Sequence, residues 1–324
     1  MDATAHKTVA ALPVALFGSV MGLAGLSLAW RAAHVQLGAP AWIGAGLGWL
    51  TLAVFIMVSA AYATKIATAF DAVRAEFQHP VAGNMFGTAL ISIMLLPMLL
   101  ADFSLPLARA VWAVGAAGMT AFAWLAVSRW MKGEQQVEHA TPAWIVPVVG
   151  MLDVPLAVPS LHWQGLQEVM LFALAVGLFF AMPLMTLIFS RLIFQKPMPA
   201  PQRPSLMIML APFAVGFSSY AITMQRIDDF AQGLYMLMLF MLAVLLERLR
   251  SLPACSPFRV SWWAVSFPLA AAAGAALRYA AHAQSVFADA IAVLLLALAS
   301  LVIAALFLRT LFGILRGELL ALVG

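Results

Sequence analysis

The stretch Arg259-Val-Ser-Trp-Trp-Ala-Val-Ser-Phe-Pro-Leu-Ala-Ala-Ala-Ala-Gly-Ala-Ala-Leu-Arg278 decides how the rest of the chain is read. Eighteen residues without a charge separate its two arginines. That length suffices for a helix to cross a hydrocarbon core of ~30 Å. Trp262 and Trp263 stand near one end, where amphipathic rings favour the headgroup level. Midway, Phe267 is followed by Pro268, and proline is expected to kink the helix by removing one of its hydrogen bonds. Beyond the proline, Ala270 to Ala276 are all alanine or glycine. A single bulky ring thus stands at a bend, with only small side chains past it. Small residues allow close helix approach or leave space along an axis. One reading makes Phe267 the plug of a narrow path lined by this and similar helices. The other makes it a core phenylalanine beside a packing kink.

Working outward, the composition is of one piece with this stretch. Of 324 residues, 65% are hydrophobic and only 9% charged, against the ~25% charged residues of a soluble domain. Apolar runs of this length without alternation indicate helices and not barrel strands. The expected fold class is therefore an all-α integral membrane protein. Ten transmembrane helices are expected, roughly at Leu12–Trp30, Ala41–Tyr62, Val81–Leu100, Leu105–Val127, Pro142–Val158, Leu166–Ser190, Leu206–Ile222, Phe230–Leu246, Val260–Leu277 and Phe287–Leu308. The segment near Leu12 is too long for the apolar part of a cleavable signal and reads as a first span. No linker is long enough to hold a soluble domain, so one transmembrane domain is expected.

The net charge of +4 does not point to nucleic acid, because the basic residues lie scattered in short loops. Thirteen of the seventeen lysines and arginines, among them Lys7, Lys65, Arg129 and Arg191, fall on the side of the N-terminus. Arg31, Arg109, Arg226 and Arg278 fall on the other. This bias predicts that both termini are cytoplasmic, and in a bacterium the membrane would be the inner one.

Pro13, Pro80, Pro142, Pro204 and Pro268 mark the odd-numbered spans at separations of 67, 62, 62 and 64 residues. A fixed period of this size suggests a repeat of helical hairpins, here roughly 12–62, 81–127, 142–190, 206–246 and 260–308. Glycines recur in the odd spans too, including Gly18, Gly22, Gly87, Gly150, Gly216 and Gly274. Two concentric layers follow as an expectation. Proline- and glycine-bearing odd helices form the inside and line a path, and smoother even helices face lipid membrane.

Ionisable residues inside spans are the default functional candidates. Asp153 lies in the fifth span and is read as an outer-vestibule residue or a proton carrier. His79 precedes Pro80 where the third span begins, either as a titrating group or as part of the helix start. Arg226 and Arg278, at the outer mouths, either raise local anion concentration or anchor the helices. No odd span carries a Lys or Arg near its middle, which argues against tight dicarboxylate binding. No catalytic motif or metal spacing is present, and the single Cys255 excludes an internal disulfide. Neither a cofactor nor a metal is expected, and no enzyme activity. An anion could still cross, attracted by the amides of broken helices and bound weakly enough to leave.

Four stretches carry a family likeness: Leu12-Pro-Val-Ala-Leu-Phe-Gly-Ser-Val-Met-Gly-Leu-Ala-Gly-Leu-Ser-Leu-Ala-Trp30, Arg74-Ala-Glu-Phe-Gln-His-Pro-Val81, Leu210-Ala-Pro-Phe213 and Trp263-Ala-Val-Ser-Phe-Pro268. The chain resembles, over its whole length, the TehA-type tellurite-resistance and dicarboxylate transporter family, relatives of the plant slow-type anion channels. The resemblance implies five hairpins around a pseudo-fivefold central pore, and a homotrimer with one pore per subunit. It implies that Phe267 occludes the pore, that Gly18 faces it, and that Val215 adjoins it. Pro268 departs from the glycine of close bacterial relatives. Val148-Val-Gly-Met-Leu-Asp153 lacks the asparagine-rich pattern of tellurite-type members. The expected function is a passive channel for small inorganic anions such as chloride or nitrate. The competing readings are a proton-coupled carrier or exporter of dicarboxylate, sulfite or tellurite, using Asp153 or His79, and a membrane enzyme or assembly subunit without transport.

Overall fold

A computed structural model describes residues 9–250, 258–318 and 322. Lys7 and Cys255 lie outside the described residues. Within them, ten helices are long and apolar enough to cross a membrane: Val14–Leu37, Ala41–Thr68, Ala82–Leu100, Leu105–Lys132, Pro142–Leu161, Gln167–Phe194, Ala200–Met224, Asp229–Arg248, Val260–Ala283 and Val286–Leu315. These are the first to tenth spans below. The protein is an integral membrane protein of the all-α class.

Burial separates the spans into two layers. In the odd spans 61–83% of the most apolar window is buried, against 28–39% in the even spans. Each odd span packs against the next in cyclic order, first on third, third on fifth, fifth on seventh, seventh on ninth and ninth on first. Each even span lies outside its preceding odd span and leans on it. The outer layer presents Trp49, Ile56, Trp124, Phe179, Met182, Phe240 and Leu301 outward, as side chains against lipid should be.

The odd spans share a local feature that the proline period only hints at. Every one opens with a tighter 3-10 stretch before continuing as α-helix. The stretches are Val14–Leu16, Ala82–Phe86, Pro142–Ile145, Ala200–Leu210 and Val260–Val265. Prolines explain most of this. Pro13 and Pro142 fix the backbone at the start, and Pro201 and Pro204 remove amide donors from the seventh span. The expected kink at Pro268 is corrected here. Pro268 is the third residue of the α-helix Ser266–Ala283. In that first turn amides have no intrahelical partner, so proline costs little. The winding changes from 3-10 to α between Val265 and Ser266. The fifth span alternates short 3-10 and α pieces throughout, with prolines at 142, 147, 155 and 159. Arg109 donates to its last carbonyls, Leu161 O at 3.0 Å and His162 O at 2.9 Å, favourable chemistry for a helix C-terminus.

Hydroxyls from both neighbours tie down the first span. Ser92 Oγ donates to Phe17 O at 3.1 Å, and Ser266 Oγ lies 3.2 Å from Gly18 O and 2.6 Å from Trp263 O. Glycine permits this closeness, since a Cβ on Gly22 would overlap the Ser266 side chain. Trp263 is corrected from headgroup anchor to core residue. It is buried and its indole N–H donates to Thr310 Oγ1 at 3.0 Å. A buried ion pair completes the clamp. Lys65 Nζ donates to Glu76 Oε2 at 2.6 Å and to Leu12 O at 2.7 Å. Glu76 Oε1 in turn accepts the amide of Val14 at 2.7 Å, at the very start of the first span.

Candidate functional site

All five odd spans contribute to one cavity of about 180 Å³. Its walls are Ala15, Gly18 and Met21 of the first span, Thr88 and Ile91 of the third, Val146, Gly150 and Asp153 of the fifth, Ser205, Ile208 and Val215 of the seventh, and Trp263, Ala264, Phe267 and Pro268 of the ninth. The lining runs from residues just ahead of the spans, Val81 and Thr141, to residues near or past their middles, Ile91, Asp153 and Val215. The cavity therefore occupies the half of the ring where the odd spans start, with their 3-10 stretches in its wall.

Phe267 lines this cavity and is 7% exposed. Its ring rests beside the first span, where a Cβ on Gly25 would lie 3.4 Å from Phe267 Cδ2. Past it, the same helix faces open again. Seven residues make two helical turns. Counting seven beyond Ile91, Asp153, Val215 and Phe267 reaches Met98, Ser160, Ile222 and Gly274, and all four are partly accessible. The residues flanking Met98, Ile222 and Gly274 are buried. Nothing lies within 4 Å of where a Gly274 side chain would begin. Arg278 follows on that face and is exposed. Accessible surface thus lies on both sides of the Phe267 ring, along one stripe of the ninth span.

The remaining candidate residues divide. Gly18, Gly150, Val215, Pro268 and Asp153 line the cavity with Phe267. Gly87 and Gly216 do not line it. A Cβ on Gly87 would come 2.8 Å from Val146 Cγ1 and 3.2 Å from Phe122 Cε1, and one on Gly216 would come 3.1 Å from Leu178 Cδ2. Both glycines serve helix packing. Asp153 is corrected from a solvated vestibule residue to a buried one, 2% exposed, with Oδ1 lacking a hydrogen-bond partner. Among the described residues it is the one ionisable side chain of the cavity wall. His79 lies outside this cavity, in a smaller one lined by Gln78, Arg129 and Gln135. Arg226 is paired with Asp228 at 2.9 Å, so much of its field is neutralised locally. The Tyr220 hydroxyl donates to that same carboxylate at 2.7 Å and holds the Asp228 carboxyl below the usual carboxylate range, helped by the Ala231 amide and the Arg226 charge.

Sequence reasoning missed three participants. Gly25 supplies the bed for the Phe267 ring, and the spacing Gly18, Gly22, Gly25 on the first span was its available signal. Lys65 and Glu76 secure the backbone beside Ala15. Their partnership joins different helices, so no local spacing announces it.

Comparison with known proteins agrees with this architecture. Residues 11–311 match the SLAC1 family, described as voltage-dependent anion channel. The chain is 27% identical over 310 residues to the S-type anion channel SLAH3 of Arabidopsis thaliana, covering 92% of this chain and 48% of that protein. It is 24% identical over 310 residues to the guard cell S-type anion channel SLAC1 of the same plant, covering 92% of this chain and 55% of that protein. It is 27% identical over 277 residues to the tellurite resistance protein TehA homolog of Haemophilus influenzae, covering 83% and 81%. The chain spans about half the length of the plant relatives. A match across nearly the whole ten-helix bundle leads to one conclusion: the chain belongs to the SLAC1 voltage-dependent anion channel family.

Proposed function

We propose that this protein is a passive, anion-selective channel for small monovalent anions such as chloride or nitrate, closed at Phe267. The observation that carries the reading is the position of that ring, with a five-walled cavity on one side and accessible faces of the same helices on the other. The wall chemistry supports it. Five spans begin around one cavity, and the positive ends of their helix dipoles favour anions there without trapping them. Among the described residues the wall has no lysine or arginine, and such a wall binds weakly and discriminates little, which suits throughput. The basic-residue bias supports a cytoplasmic position for the cavity end of the ring, and in a bacterium the membrane would be the inner one. Three copies, each with its own path, and a role in tellurite resistance extend the same reading. The test is anion current through the Phe267→Ala variant in planar bilayers, with reversal potentials in mixed chloride and nitrate salts. A clear rise in current that follows the anion gradient supports the channel. Unchanged current in a folded variant defeats it.

Asp153 favours a second reading, a proton-coupled carrier of dicarboxylate, sulfite or tellurite. A buried, unpartnered carboxyl on a substrate cavity is a natural proton site. Liposome flux driven by a pH gradient and abolished in Asp153→Asn would establish it. Flux indifferent to both would remove it.

A further inference from the structure

The smaller cavity, about 130 Å³, lies where the third and fourth spans meet the segment leading to the fifth. That is well above the ~10–15 Å³ a single water requires. Its polar wall consists of Gln78, His79, Asn84, Arg129 and Gln135, with Trp130 beside them and, among the described residues, no carboxylate. Hydrogen-bond accounting makes this wall rich in donors. His79 Nδ1 accepts the amides of Val81 and Ala82 at 3.2 and 3.1 Å, so the neutral ring carries its proton on Nε2, as a free donor. Arg129 Nη1 donates to Phe77 O at 3.2 Å, and the guanidinium lies 4.1 Å from the Phe77 ring centre. That fixes the fork while its other N–H groups remain to be used. Gln78 and Gln135 add amide donors. A fixed guanidinium, an imidazole N–H and two amides, with no opposing carboxylate, match a tetrahedral oxyanion.

We propose that this cavity binds a phosphate-class group, held chiefly by Arg129 and His79, as a site separate from the five-walled cavity. The group comes either from a phospholipid headgroup, since the site lies at span ends, or from a soluble phosphate. The site is also linked to the five-walled cavity through a pair of tryptophans. Trp130 stacks on Trp144 with ring centres 5.5 Å apart and planes 12° apart. Trp144 Nε1 donates to Pro80 O at 3.1 Å. Trp144 stands between Ala143 and Ile145, which both line the large cavity. An occupant therefore braces the starts of the third and fifth spans together. None of this depends on how anions pass Phe267.

The test uses the full chain. Inorganic phosphate is titrated calorimetrically into detergent-purified protein at constant ionic strength, with chloride as control. In parallel, native mass spectrometry follows phosphatidylglycerol retained from vesicles that contain it. Saturable phosphate binding identifies a soluble source, and retained phosphatidylglycerol identifies a lipid source. In either case Arg129→Gln weakens binding about tenfold, the loss expected for one charge-assisted contact, and Arg129→Lys restores it only in part. Should Arg129→Gln not fold, His79→Leu combined with Gln135→Leu replaces it. Equal binding by the variants, or no binding of either probe by the wild type, overturns the site.

Discussion

The ring of Phe267 is bedded on Gly25: a Cβ there would stand 3.4 Å from Phe267 Cδ2 and 2.9 Å from the Cβ of Ala270. Ala270 Cβ cannot swing aside, because it is fixed to its own backbone. Gly25→Ala must push the first and ninth spans apart, and overpacking of this kind costs about 1–3 kcal/mol. Gly22→Ala, which would overlap Ser266, falls in the same class. Gly18→Ala does not, since its Cβ meets Trp263 at an ordinary 3.6 Å. Thermal unfolding in detergent should rank Gly18→Ala near wild type and the other two below it. Gly18→Ala should also reduce the current of a Phe267→Ala background, because the added methyl enters the cavity.

Side-chain volume at position 267 should set the conductance. The expected order is Phe267→Ala above Phe267→Leu above wild type, read as single-channel current. The ring is buried, so Phe267→Ala should also lose about 3–5 kcal/mol of stability. A flat series in folded variants would separate the ring from the path.

The Lys65–Glu76 pair predicts a non-additive cycle. The two side chains are 3% and 12% exposed. Removing one partner strands the other charge, which costs about 3–5 kcal/mol, and replacing both costs much less. Lys65→Met and Glu76→Gln should each lower the unfolding temperature sharply. The double variant should recover a large part of the loss. Additive losses would mean that the two groups act separately.

Asp228 predicts a local acid response outside the membrane. Its carboxyl is held low by the Tyr220 hydroxyl, the Ala231 amide and Arg226. A group with a depressed folded value stabilises above its unfolded value, ~3.9 for aspartate, and loses that contribution as pH falls through the folded value. Hydrogen exchange at the start of the eighth span should therefore accelerate only below about pH 4. Asp228→Asn should exchange faster at neutral pH and show little acid dependence.

The sequence disclosed the layers better than the details between them. Charge-free runs revealed ten spans, because lipid tolerates few charges. The evenly spaced prolines marked the inner five, whereas glycines did not, since the outer spans carry as many, among them Gly44, Gly46 and Gly48. The role of each glycine stayed hidden, since an absent side chain gives no direction. Gly18 lines the cavity, whereas Gly87 opens space for Val146 and Phe122. The 3-10 starts were equally hidden, since over four to six residues, as in Pro142–Ile145, a three-residue repeat cannot be told from a 3.6-residue one. Asp153 was misplaced because its depth depends on how far the interrupted fifth span extends, to Leu161 and not Val158.

Those 3-10 starts also make each inner helix longer than its residue count implies. A 3-10 stretch rises about 2.0 Å per residue and an α-helix about 1.5 Å. Over the eleven residues Ala200–Leu210 the difference is about 5 Å. Pro201 and Pro204, which lack the amide protons that α winding uses, hold the seventh span at that greater reach.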